Sequence, residues 1–417
     1  MSLPRGPKFS RRGLLGGAAG LGLATAAGVG LAGCGGPDPH ADTEAFHGPR
    51  QAGIDTDVQD RLAFAAFDVT TTDRAELVGM LRTWTAAAEA MTRGVMVPGD
   101  SERQELPPAD TGEAIGLPPC RLTVTIGFGP SLFDQRFGLA PFKPAQFGPL
   151  PALPGAILDP ARSDGDIGIQ ACANDPAVAF HAVRNLARLG KGTAVTRWTQ
   201  LGFGRTASTG TGQQTERNLL GFKDGTRNIK SVDSAVLDQH VWVGDEARQR
   251  WMFGGSYLVT RRIRMFIEPW DRDFLSDQEA VIGRSKYTGA PLTGKDEFDV
   301  PDFRAMGPDG EPVIPVDAHV RLAAFENNGG VRILRRGYSY TDGTDPRTGD
   351  LDAGLFFISY QRDPAQFVTL QRKLGSKDAL NEYIRHVGSA VFACPRGVLD
   401  GGGFWGKELF EAEAGRN

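Results

Sequence analysis

Apolar and polar positions along this chain change period repeatedly, and those changes lay out its elements. RLAFAAFDVT (61–70) is a nearly continuous apolar run and reads as a buried strand. TDRAELVGMLRTWTAAAEAMTRG (72–94) follows with apolar residues at helical spacing behind a Thr-Asp start, which predicts a capped amphipathic helix. CRLTVTIGFG (120–129) and GDIGIQACA (165–173) predict strands on either side of a Pro-rich loop. PAVAFHAVRNLARLG (176–190) predicts a helix with Pro176 in its first turn, and AVTRWTQLGFG (194–204) a closing strand. The order β-α-β-β-α-β is ferredoxin-like.

The downstream chain repeats the plan. SYLVTRRIRMFIEPW (256–270) predicts a strand and DFLSDQEAVIGRS (273–285) a short helix. HVRLAAF (319–325), VRILRRGYSY (331–340) and GLFFISYQ (354–361) are apolar or alternating segments, and HVRLAAF is expected as a strand opened by His319. PAQFVTLQRKLG (364–375) predicts a helix and YIRHVGSAVFACP (383–395) a final strand. Asp175-Pro176 and Asp363-Pro364 mark the same strand-to-helix corner in both halves, which points to duplication. The expected fold is α+β: two ferredoxin-like halves, 58–213 and 214–417, packed sheet on sheet as a dimeric α+β barrel with helices outside.

Composition narrows the class. The chain has 417 residues, 40% hydrophobic and 23% charged, as a soluble globular protein does. Its formal net charge of −4, with no sustained basic stretch, excludes a nucleic-acid binder. The N-terminus alters the picture. SRRGLLGG (10–17), preceded by Arg5 and Lys8 and followed by an uncharged Gly/Ala-rich run, has the outline of a twin-arginine export signal. Leu14 and Gly16 stand where such signals prefer Phe and Lys. LAGC (31–34) reads as a lipoprotein box with Cys34 as the lipidated residue, so 1–34 are expected as signal and 35–57, with His40 and His47, as a flexible linker. Removing 1–33 takes four basic residues and no acidic ones, leaving 42 against 50 and a mature charge of −8. The expected location is the outer face of the cell membrane, or periplasmic or secreted without lipidation. Twin-arginine export carries folded cargo, which suggests a cofactor loaded beforehand. Cys120, Cys172 and Cys394 are too few and odd in number for a disulfide scaffold, and no CxxC provides a zinc site.

Several residues could carry chemistry. GFKDGTRNIK (221–230) sets Asp224 between Gly221 and Gly225, beside Lys223 and Arg227. It is either an ordinary Asp-Gly turn or a carboxylate held at a cavity edge to move protons. Outside the linker the histidines are His181, His240, His319 and His386, each read alone as structural or superficial. Arg335 and Arg336 are adjacent in a strand pattern, so one points to each face.

Together these blocks resemble the dye-decolourising peroxidases, and within them the exported deferrochelatase/peroxidase branch associated with ferrous-iron uptake. NLLGFKDGTRN (218–228), GGSYLVTRRIRM (254–265), IGRSKYTGAPL (282–292), DAHVRLA (317–323) and ILRRGYSY (333–340) are similar to the family's blocks and in its order. The resemblance implies one haem b per chain in the C-terminal half. It implies His319 as proximal iron ligand, Asp224 as distal acid–base, and Arg335 as distal arginine that also helps hold a propionate. Gly225 and Phe356 or Phe357 would border the cofactor, with Phe357 carried forward. Glu382, in LNEYIRHVG, is the expected acidic partner of the proximal histidine, with Asp378 as the fallback. Gly337 stands where some members carry an asparagine. The implied activity is reduction of hydrogen peroxide with oxidation of dyes, phenols or ferrous iron, at an optimum below neutral because the base is a carboxylate. The alternative is a deferrochelatase that releases iron and leaves the porphyrin intact. Iron-uptake proteins of the membrane and a homo-oligomer are the implied partners. Trp198, Trp251, Trp270, Trp405, Tyr338 and Tyr340 are candidates to pass electrons, against core packing.

Overall fold

The computed structural model describes residues 42–100, 102–399 and 401–412; the twin-arginine stretch, Cys34 and His40 lie outside them. In chain order the elements are β1 (Arg61–Val69), α1 (Arg74–Thr92), β2 (Thr123–Phe128), β3 (Ile167–Ala173), α2 (Pro176–Leu189), β4 (Ala194–Arg205) and α3 (Ser234–His240). They continue with β5 (Ser256–Met265), α4 (Ile267–Trp270), α5 (Leu275–Ile282), α6 (His319–Ala323), β6 (Leu334–Arg335), β7 (Tyr338–Thr344), β8 (Leu351–Gln361), α7 (Pro364–Lys377), β9 (Ile384–Cys394) and α8 (Lys407–Phe410).

The strands run β5-β9-β2-β3-β1-β4-β7-β8, and β8 pairs back onto β5 to close an eight-stranded barrel. β6 also pairs with β8, continuing the line of β7 past Arg336 and Gly337. In each half the first strand lies between the third and the fourth: β3-β1-β4 and β8-β5-β9. The seams between halves are thin, with Phe128 opposite Ala393 on one side and Phe203 opposite Ser339 on the other.

Two apolar layers result. Inside the barrel, Phe64, Trp198, Phe356, Ile358, Tyr360 and Phe392 pack together. Outside it, Leu77, Leu81 and Trp84 of α1 and Leu186 of α2 cover Phe67, Ile126 and Ile169. Strands apolar on both faces therefore read as continuous runs. Both Asp-Pro corners are helix starts. The Asp175 carboxylate accepts from the amides of Ala177 and Val178, and Asp363 forms a capping box with Gln366.

Two expectations are corrected. HVRLAAF is the short helix α6 and not a strand, because Asn327 and Asn328 donate to the carbonyls of Arg321, Leu322 and Ala324 and close its C-terminal end. A short apolar run cannot distinguish the two by period. Residues 42–57, expected as flexible linker, belong to the domain. Gln51 donates to the carbonyls of Ile126 and Pro395, Ile54 is fully buried, and Glu44 pairs with Arg121. Their polar groups bond to barrel backbone, which composition alone does not reveal.

Candidate active site

The loop between β4 and α3 carries Asp224. Gly221 and Gly225 on either side adopt φ of +84° and +81°. A Cβ on Gly225 would stand 2.8 Å from the Cα of Ala207, so both conformation and space require glycine. Glu297, from the long segment after α5, pairs with Lys223 and accepts from Thr226 Oγ1, tying the loop down from its other side. Burial opposes the charge on Glu297, but hydrogen bonds from Lys223, Thr215 and Thr226 hold its carboxyl below the usual range.

Arg335 on β6 meets this loop. Its Nη1 donates to Asp224 Oδ1 at 2.6 Å. Asn228 clamps the arginine's backbone, its Oδ1 accepting from the Arg335 N–H at 2.8 Å and its Nδ2 donating to the Arg335 carbonyl at 2.8 Å. Arg336 turns the other way, fully buried, and donates to Gln59 Oε1 at 2.5 Å and to the Thr56 carbonyl. The expected alternation of the pair thus holds, and the motif's own Asn228 is a positioning residue that sequence reasoning passed over.

His319 is the first residue of α6, and its Nδ1 lies 2.6 Å from Asp378 Oδ2. The acid beside His319 is therefore Asp378, the fallback, and not Glu382. The reason lies in the chain path. α7 ends at Lys377, and the Ala379 N–H bonds the carbonyl of Asp317, drawing Asp378 against the start of α6. The other Asp378 oxygen accepts from Leu380 N–H at 2.9 Å, so the carboxylate is fixed at both ends. Glu382 lies one turn further on, at the end of the following 3-10 turn. Burial pulls the His319 imidazole down, but the Asp378 charge and hydrogen bond, helped by Asp224, outweigh it and raise the pKa. A carboxylate on Nδ1 keeps the proton there and leaves Nε2 unbonded among the described residues.

These groups border one cavity, with about 1670 Å³ of open space counting its solvent-facing mouth. Asp224, Gly225, Arg335, His319, Asp378 and Phe357 all line it, between the outer face of β5, β8 and β9 and helices α6 and α7. Phe356 points into the barrel instead, packed on Phe64 and Trp198. Ile263, Met265, Leu355, Val320 and Leu374 supply apolar walls, and Arg227, Arg284 and Arg332 supply positive charge. His386, expected as structural only, also lines the cavity. Of the expected electron carriers, Trp198, Tyr338 and Tyr340 fill the barrel and Trp251 and Trp405 the outer core, while Trp270 packs on the cavity-lining Phe222.

An open imidazole nitrogen, apolar walls, a carboxylate–guanidinium pair and several arginines suit a flat apolar macrocycle that bears anionic arms and an iron needing one strong axial base. On an α+β barrel, such a pocket defines a haem-dependent oxidoreductase. Comparison with known families narrows this. Residues 51–204 match the model of the Dyp-type peroxidase N-terminal domain and residues 215–399 that of the C-terminal domain. The chain belongs to the Dyp-type peroxidase family. It is 39% identical over 380 residues to the deferrochelatase of Escherichia coli K12, covering 89% of this chain and 88% of that protein. Among solved structures it is 40% identical to DtpA from Streptomyces lividans, an oxyferrous/water mixed complex, with a TM-score of 0.81 over 90% of this chain and 100% of that one. A DyP-type peroxidase from Streptomyces coelicolor shows the same identity and coverage with a TM-score of 0.82. The protein is a haem b-dependent peroxidase, an oxidoreductase acting on hydrogen peroxide and a reducing substrate.

Proposed function

We propose that His319 Nε2 would hold the haem iron, with Asp378 as the acid behind it, and that Asp224 and Arg335 would act on peroxide. One observation carries this reading: two hydrogen-bonded pairs, Asp378–His319 and Asp224–Arg335, line a single cavity. Haem held there would supply a redox-active iron, the chemistry by which oxidising equivalents of peroxide reach a donor. The protein's share is proton placement and charge stabilisation. Asp378 polarises the Nδ1–H of His319 and strengthens its Nε2 as a donor. Arg335 holds Asp224 Oδ1 and Asn218 Nδ2 donates to Oδ2 at 3.4 Å, and the carboxylate so oriented takes a proton from one peroxide oxygen and returns it to the other. Arg335 stabilises the negative charge that develops as the O–O bond breaks. Gly225 and Phe357, which line the cavity, would border the cofactor.

The test is an optical titration of the purified chain with haem. His319→Ala should lose the haem absorption band. Asp224→Asn and Arg335→Leu should bind haem yet react with peroxide at least about a hundredfold more slowly. Haem held normally by His319→Ala would move the axial ligand elsewhere. With a carboxylate as base, the rate of dye oxidation should peak below neutral pH; a peak above pH 7 at unchanged haem loading would remove Asp224 from that role.

The E. coli relative's name supports a second reading, release of iron from haem with the porphyrin intact. Iron release that survives Asp224→Asn would favour it. Dyes, phenols or ferrous iron are the reductants we infer, and membrane iron-uptake proteins the partners, with a homo-oligomer of this chain. Export through the twin-arginine pathway and lipidation at Cys34 complete the proposal, supported by SRRGLLGG and LAGC. The matching strand orders and the two Asp-Pro caps support descent from one duplicated ferredoxin-like half.

A further inference from the structure

Buried arginines in this molecule have partners, with one conspicuous difference. Arg336 is held by Gln59 and the Thr56 carbonyl, Arg262 by Asp342, Asp352 and Gln200, and Arg284 by the carbonyls of Gly289 and Glu297. Arg261 on β5 is only 1% exposed, yet its Nε and Nη2 find no acceptor among the described residues. Its guanidinium sits over the Phe367 ring, 5.5 Å from the centroid. A ring face does not replace hydrogen bonds to a buried guanidinium, which ordinarily requires an anion.

Arg261 lies buried behind the cavity's lining, among residues that form its floor. Ile263, two residues along the same strand, lines it; so do Phe357, directly opposite on β8, and Phe367 beneath the guanidinium. A second unused donor stands in the same wall. Gln371 Nε2 can only donate, so in its 3.3 Å contact His386 Nε2 accepts and the ring proton sits on Nδ1. That Nδ1 is buried and has no partner among the described residues. Burial and the Arg261 charge push the His386 pKa down to about 3, keeping the ring neutral, while Arg261 itself, lowered by burial to about 10, stays charged. Guanidinium N–H groups and an imidazole N–H thus lie at the same end of the cavity, close enough for the Arg261 charge to act on His386, and each lacks an acceptor among the described residues.

We propose that Arg261 and His386 form an anion subsite at the floor of the cavity and bind a carboxylate. The carboxylate belongs either to a propionate of the bound haem or to a small free acid. The first source rests on the haem-pocket reading above, and the second does not. A carboxylate there would accept from the guanidinium fork and from His386 Nδ1, satisfying donors that the protein leaves open.

The experiment compares wild type with Arg261→Met, which keeps the bulk and removes the charge. In haem-free protein, acetate should raise the wild-type melting temperature and leave that of Arg261→Met unchanged if the source is a free acid. If the source is the cofactor, wild type should bind haem about tenfold or more tightly than haem dimethyl ester, and Arg261→Met should lose that preference. Either result supports the subsite and names its occupant. Equal acetate response and equal ester discrimination in both proteins would overturn it. Should Arg261→Met not fold, wild type alone decides: absence of both an acetate response and an ester preference overturns the subsite. Failure to bind either haem or ester would count against the haem reading, while the acetate arm still decides the subsite.

Discussion

Asp378 and Glu382 are four residues apart, both acidic and both near the end of α7, yet only Asp378 reaches His319, at 2.6 Å. The two roles are separable by measurement. Asp378→Asn should weaken haem binding by about tenfold to a hundredfold and raise the iron midpoint potential, because the axial imidazole loses its anionic partner. Glu382→Gln should do neither. Haem titration and spectroelectrochemistry on the pair check this, and equal effects would remove Asp378 from its role. Asn228 acts at the same scale by fixing the backbone from which Arg335 reaches Asp224. Asn228→Ala should leave haem affinity unchanged and lower the peroxide reaction rate by about tenfold or more, since small displacements of a charge-stabilising group are costly. Stopped-flow measurement of that rate is the check.

The two Asp-Pro helix starts are alike in sequence and differ in what their helices carry. α2 covers the N-terminal half of the barrel, whereas α7 ends at Lys377, just before Asp378, and contributes Phe367, Leu370 and Gln371 to the cavity wall. Asp175→Ala and Asp363→Ala should each cost about 1 kcal/mol of stability in urea denaturation. Only Asp363→Ala should also weaken haem binding, because loosening α7 moves the acid behind His319. Equal haem affinity in both variants would show that the start of α7 does not hold its far end. α6 is the other decisive element. One turn closed by Asn327 and Asn328 aims His319 at the cavity, a placement that a strand would not give.

Across the whole molecule, two cavity histidines oppose each other in pH dependence. His319, with its pKa raised above the ordinary 6.5, stabilises the haem-free fold fully below that value and loses the contribution as pH rises through the raised one. His386, lowered to about 3, stabilises it above 6.5 and loses the contribution as pH falls toward 3. Haem-free protein should therefore be most stable between these limbs. His386→Leu should flatten the acid limb and His319→Asn the alkaline one, as read from melting temperature against pH. Unchanged limbs would mean that other groups set the profile.

The pattern of apolar residues was enough to predict the main barrel strands, the helices α1, α2, α5 and α7 and the Asp-Pro corners, because strand period, helix period and capping are local properties; the short helices α3, α4, α6 and α8 it did not predict. Motif order was enough to bring Asp224, Arg335 and His319 into one hypothesis. Local signals failed where contacts are remote in sequence. Whether HVRLAAF is helix or strand depends on asparagines downstream of it, and whether residues 42–57 are tether or domain depends on the barrel edge they bond. The choice between Asp378 and Glu382 depends on a backbone bond from Ala379 to Asp317, 62 positions earlier in the numbering. Closure of the barrel likewise rests on a few pairings between the first and second halves and on β8 returning to β5. Composition and period are written along the chain, so the sequence alone determined the elements and the candidate chemistry. Which groups meet across the cavity, and which buried donors are left without acceptors, follow from distances in space and were decided by the tertiary structure.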